Sequence, residues 1–158
     1  MGLDMYLIKK QKKERKNSNT WNQIGYWRKA NQIHNWFVAN VQKGTDDCGY
    51  YRVSCKQIQQ LKEICERVVK TANLVPGEIC VGYHYENGER VPIIEQGEVI
   101  INANEIAAIL PTTHGFFFGH TEYDEWYLSQ VRETIEILER ALNETNFEEE
   151  YLVYTSSW

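Results

Sequence analysis

The stretch FEEEYLVYTSSW, residues 147–158, decides how the chain is put together. Its run from Tyr151 to Tyr154 is built from the aromatic and aliphatic side chains that suit a half-buried pleated surface, so it reads as a closing strand. The partner expected for it is the strand read in LDMYLI, residues 3–8, with Asp4 to Leu7 paired to Tyr151 to Tyr154. Each segment alone would expose an unpaired edge, and pairing them removes one edge from each.

Working inward, LDMYLI runs into KKQKKERKNSNT, residues 9–20, read as a solvated basic loop. In YWRKANQIHNWFVANVQ, residues 26–42, Trp27, Ala30, Ile33, His34, Phe37, Val38 and Val41 recur at helical spacing and predict a first amphipathic helix. Ser54 with Gln57 three residues on is a capping-box pattern, and Ile58, Leu61, Cys65 and Val68 continue a second helix to about Thr71. Asn87-Gly88, between β-rich runs, signals a hairpin within residues 77–102, where Pro92 marks an edge strand or a bulge. Asn102 caps a brief helix ended by Pro111. Thr121 is the expected N-cap of the last long helix, whose stripe is Tyr127, Val131, Ile135, Leu138 and Leu142. The expectation is a single α+β domain over residues 1–158: three main helices, a terminal strand pair and an inserted hairpin.

A chain of 158 residues buries roughly two-thirds of the surface its unfolded form exposes, so it needs no metal or disulfide staple. A composition of 42% hydrophobic residues excludes wholesale disorder, and the 13% aromatic content suits a pocket or an interface as well as a core. The opening MGLDMYLIKK lacks the layout of a secretory signal, and no apolar run reaches the roughly 18 residues of a membrane span. A cytoplasmic protein with no membrane partner is expected. Cys48, Cys55, Cys65 and Cys80 form no C-x-x-C pair, and reduced, unligated thiols are expected. The net charge of −5 disfavours duplex nucleic acid as a partner.

HGFFFGHTEYDEWY, residues 114–127, sets three phenylalanines between Gly115 and Gly119 and crowds aromatic and titratable groups together. The segment either lines a pocket or bends sharply through the core; core filling by at least two of the phenylalanines is expected, with Phe116 and Phe118 pointing the same way. His114, His120, Glu122 and Asp124 match no established metal-ligand spacing, so no metal and no cofactor are assigned, and no catalytic residue is named. The pair Cys48 and His34 has no local signature of a nucleophile site. DDCG, residues 46–49, reads as a turn capped by Asp46 or Asp47 with Gly49 in a strained dihedral, or as a polar wall of a ligand site. Arg28 and Lys29, beside Tyr26 and Trp27, are either a solvated helix face or groups that stack on and pair with a flat anion.

MGLDMYL, GYWRKANQIHNWFV, DDCG, LPTTHGFFFGHTEYDEWYL, ETIEILERAL and YTSSW, taken together, resemble a family of small functionally uncharacterised proteins encoded by bacteriophages and prophages. Residues 77–102 look like an insertion relative to shorter members. The resemblance implies a phage protein in the host cytoplasm, a class that often acts on the host. The expected function is non-enzymatic capture of a small nucleotide-like ligand, a host immune signal, by a homo-oligomeric anti-defence protein. Trp27, Arg28, Lys29, His34, Asp47, Phe117, His120, Tyr123 and Trp126 are the candidate ligand-binding residues, with Trp36 of the same type. The alternatives are a hydrolase using His114, His120, Glu122 and Asp124 as metal or acid–base groups, and a protein-binding inhibitor using the acidic last helix.

Overall fold

The computed structural model describes residues 2–15 and 19–158; Lys16 of the basic stretch lies outside them. Among the described residues, strands β1 (Asp4–Gln11) and β2 (Gln23–Arg28), helix α1 (Asn31–Asn40), strand β3 (Tyr51–Val53) and helix α2 (Cys55–Thr71) come first. Strands β4 (Leu74–Glu86) and β5 (Glu89–Ile100), helices α3 (Ala103–Ile109) and α4 (Glu125–Glu144), and strand β6 (Glu150–Ser157) follow. An antiparallel four-stranded sheet runs β2-β1-β6-β3, and β4 and β5 form a separate ribbon.

The chain ends pair, from Asp4 opposite Ser157 to Gln11 opposite Glu150, but not with the expected partners: Asp4 to Leu7 lie opposite Ser157 to Tyr154, and Tyr151 to Val153 lie opposite Lys10 to Ile8. This is not a terminal pair standing alone. β2 adds to the free side of β1 and β3 to the free side of β6, so the pair becomes the centre of the sheet. Four helices and six strands in two antiparallel sheets replace the expected three main helices with one terminal pair and a hairpin. The strand extends through Lys9 to Gln11, against the expected loop, because β6 supplies partners for these residues.

The expected first helix divides. Residues 26–28 are strand, because Met5 lies opposite Trp27 and Asp4 opposite Arg28, and the helix starts only after Lys29 turns the chain at φ 56°. The capping box at Ser54 is formed in both directions: the Ser54 hydroxyl accepts from Gln57 N–H, and Gln57 Oε1 accepts from Ser54 N–H. α4 begins later than Thr121. Asp124 is its N-cap, with Oδ1 accepting from the N–H groups of Trp126 and Tyr127, while Tyr123 stays extended to accept from Ile100 N–H.

One apolar core joins Met5, Leu7, Trp27, Leu152 and Tyr154 of the sheet to Phe37 of α1, Leu61 and Cys65 of α2, and Val131 and Leu138 of α4. The ribbon is rooted beside it. Asn102 Oδ1 accepts from Asn73 N–H and its Nδ2 donates to Thr71 O, while Val99 bridges to Asp124. The rest of the ribbon extends beyond the core, with Val81, Tyr83, Tyr85, Ile93 and Ile94 exposed.

Tyr154 tests the centre of this arrangement. Its ring stacks on Phe37 with centroids 3.9 Å apart, and its hydroxyl lies 2.6 Å from His34 Nδ1 in a fully buried site. Tyr154→Phe keeps the stack and strips His34 Nδ1 of its partner while Nε2 stays on Asp46. A loss of about 1–3 kcal/mol in a denaturant melt is expected; an unchanged midpoint would show that this bond carries no stability.

Candidate functional site

The segment from Thr113 to His120 is held at both ends by one buried amide. Asn31 Nδ2 donates to Phe118 O and to His120 O, at 3.1 and 3.0 Å, while Asn31 Oδ1 accepts from Thr113 N–H. Between these points the three phenylalanines part company. Phe118 is 4% exposed, with its ring edge-on to His34 and facing Trp158, whereas Phe116 and Phe117 are 66% and 50% exposed. The expectation that two phenylalanines fill the core, with Phe116 beside Phe118, is therefore corrected: only Phe118 does. Alternation fails because Phe117 sits at φ 57°, in the left-handed region, where its carbonyl accepts from Leu3 N–H.

Both bracketing glycines are required, for different reasons. A Cβ on Gly115 would run into the Phe118 ring. Gly119 takes φ 87° and lies against Lys29, where a Cβ would come within 3.2 Å of that residue's Cβ. This close approach brings Lys29, itself left-handed, against the aromatic loop.

Two adjoining cavities open here. The larger, about 950 Å³, lies between the ribbon and the aromatic loop. Tyr83, Tyr85 and Arg90 line it from the ribbon; Phe116, Phe117 and Trp126 line it from the body. The smaller, about 260 Å³, lies towards α1 and α4 and shares Lys29, His120 and Trp126 with the larger. Exposed aromatic faces on opposite walls, with Lys29, Arg90 and His120 among them, make a clamp suited to a flat, anionic molecule. Arg90 already stacks on Tyr83, its guanidinium carbon 3.7 Å from the ring centroid.

His120 is the titratable group at the junction. Its Nε2 lies 3.1 Å from Asp124 Oδ2, and that hydrogen bond holds its pKa above the usual 6.5; partial burial opposes the shift, and the charges of Asp124 and Glu122 add to it. His114 and Glu122 also line the larger cavity. Among the described residues, no group of three or more His, Cys, Asp or Glu is placed to hold a metal ion.

Of the residues singled out in the sequence, Arg28, Lys29, Phe117, His120 and Trp126 line one or both cavities. Arg28 does so while paired with Asp4 at 3.3 Å. Trp27 faces the core, where its Nε1–H donates to Thr134, and Trp36 is buried as well. His34 is buried between Tyr154 and Asp46, and burial together with the Asp46 charge raises the Tyr154 pKa well above its usual value. The two ring nitrogens of His34 thus face different partners, Nδ1 the Tyr154 hydroxyl at 2.6 Å and Nε2 the Asp46 carboxylate at 2.9 Å. Asp47 closes the predicted turn by accepting from Gly49 N–H, but the left-handed residue there is Cys48, not Gly49. Tyr123 packs on Tyr127 and accepts from Thr112 N–H. Trp27, His34, Asp47 and Tyr123 thus line neither cavity.

The ribbon residues Tyr83, Tyr85 and Arg90 were missed. Their signal was present: tyrosines two apart share one face of a strand, and a hairpin reaching beyond the core needs another reason to carry them. Comparisons with family models, curated proteins and solved structures find no match for the chain.

Two outcomes test this geometry. Phe118→Ala is expected to cost about 3–5 kcal/mol, whereas Phe116→Ala stays within about 0.5 kcal/mol; equal losses would contradict the division. His120 should titrate above 6.5 by NMR, and Asp124→Asn, which keeps an N-cap, should return it towards that value. Because the folded pKa is raised, the stability from this pair is complete below the unfolded value and disappears as pH rises through the folded one. A midpoint unmoved by Asp124→Asn would contradict the assignment.

Proposed function

We propose that the protein is a binding protein of phage origin that captures a small nucleotide-like anion between the ribbon and the aromatic loop. The supporting observation is the clamp: Tyr83 and Tyr85 oppose Phe116, Phe117 and Trp126 across about 950 Å³, with Lys29, Arg90 and His120 on its walls. Aromatic faces accept a base and the cations accept its phosphate. Phage origin rests on the resemblance of the segments quoted from the sequence. Anti-defence action follows as the use such a protein would have in the host cytoplasm: sequestering an immune signal. Among the described residues no helix is long and apolar enough to cross a membrane. The ribbon's exposed Ile93 and Ile94 give a homo-oligomer an apolar surface to bury.

The pair His120 and Asp124 favours one second reading, acid–base hydrolysis of the same ligand. Incubation with a panel of nucleotide signals, followed by heat release and chromatography, separates the two. Intact ligand returned in stoichiometric amount is expected; altered ligand in multiple turnovers would establish hydrolysis, and recovery of nothing would contradict capture. Tyr83→Ala and Arg90→Ala should each weaken capture by roughly one to two decades while leaving the melting temperature close to that of the parent, since both side chains lie outside the core.

A further inference from the structure

The smaller cavity contains a polar feature that simple capture of an anion does not use. Gln32 lines it while only 1% exposed. Its Nε2 donates to Tyr127 O at 3.3 Å and to Gln130 Oε1 at 3.0 Å. The Tyr127 carbonyl can only accept, so the Gln32 amide has one orientation, and Gln130 in turn must present its oxygen to Gln32. Left over are Gln32 Oε1, an acceptor, and Gln130 Nε2, a donor. Among the described residues neither has a protein partner.

Gln32 Oε1 is not among the buried side-chain oxygens sealed from solvent, so it can accept from whatever enters the cavity that Gln32 lines. An acceptor and a donor held in fixed order match a flat heterocycle that carries a donor next to an acceptor on one edge, as a glutamine amide matches an adenine. The volume, about 260 Å³, is below the roughly 300–1,000 Å³ of sites that enclose a whole drug-sized ligand, and suits one ring system. Trp126 offers a stacking wall, and Arg28 and Lys29 place cations around the same space. We propose that this cavity is a base-reading subsite in which Gln32 Oε1 and Gln130 Nε2 pair with the edge of a nucleobase while its phosphate turns to the wall of Lys29 and His120 shared with the clamp. The proposal rests on the reading of the site as a nucleotide pocket and narrows it to ligands with a base of defined hydrogen-bonding order.

Adenosine and inosine 5′-monophosphates test it, because they have nearly the same shape, but where adenine offers a donor beside an acceptor, hypoxanthine offers two acceptors on its O6/N7 edge and the reversed order on its O6/N1 edge. Ribose 5-phosphate serves as the probe without a base. Calorimetric titration of the parent protein should separate the two nucleotides by at least about tenfold in Kd, with ribose 5-phosphate weaker than the preferred one. Gln130→Leu should reduce that discrimination below about threefold without changing the affinity for ribose 5-phosphate. Gln130→Glu, isosteric and able to keep the bond from Gln32, should likewise reduce the discrimination, while its negative charge weakens all three anionic probes, and it replaces the leucine variant if that fails to fold. Equal affinity of the parent for all three probes would overturn the subsite and leave anion capture standing, as would discrimination that survives both substitutions. Binding of none of the three would overturn the pocket reading and the subsite with it.

Discussion

The four-stranded sheet and the apolar core packed on it depend on the antiparallel pairing of β1 with β6. Eight registered positions bring the two ends of the described chain together. Once formed, the pair offers an edge on each side, taken by β2 and by β3, and one apolar face, on which Phe37, Val131 and Leu138 pack. Contacts so distant in sequence carry a large ordering cost before they gain anything. The chain offsets this by burying the pair deeply: Met5, Leu7, Leu152 and Tyr154 are fully enclosed. His34 ties the same centre to the loop before β3 through Asp46, which also accepts from Trp158 Nε1–H.

The candidate site is a consequence of that frame. β2 ends opposite the start of β1, and the chain must reverse at Lys29 to begin α1; this places Asn31 where its amide can hold both ends of the aromatic loop. On the other side, Asn102 closes the root of the ribbon and Tyr123 O ties β5 to the approach of α4. Two left-handed non-glycine residues, Lys29 and Phe117, lie on the cavity walls. Backbone held in such conformations is costly and persists only where surrounding bonds dictate it. Here those bonds come from Leu3: its carbonyl accepts from Lys29 N–H and its N–H donates to Phe117 O.

The parts legible in the sequence were those governed by local chemistry. Ser54 with Gln57, the stripes of α2 and α4, and the Asn87-Gly88 turn all depend on neighbours within a few residues. The terminal pairing was legible because both ends are β-rich and each alone would expose an unpaired edge. What escaped reading was set by distant contacts. Trp27 fits the helical spacing of Ala30 and Ile33, yet pairing with Met5 makes it strand. Thr121 and Asp124 are both good caps, and the bonds from Ile100 N–H to Tyr123 O and from the Thr112 hydroxyl to Thr121 O keep the chain extended to the second. Five of the nine proposed binding residues reach a cavity, namely Arg28, Lys29, Phe117, His120 and Trp126; the other four have the right chemistry but are committed to the core or to a turn. The ribbon's contribution was missed because a hairpin read as an insertion was not expected to face the aromatic loop.

The central claim is that ribbon and aromatic loop close on one ligand from opposite sides. Hydrogen–deuterium exchange with and without a saturating nucleotide reads both walls in one experiment. The account predicts slowed exchange in residues 81–90 and 114–122 together, with the sheet unchanged. Protection confined to one of the two segments, or appearing instead along β1 and β2, would contradict it.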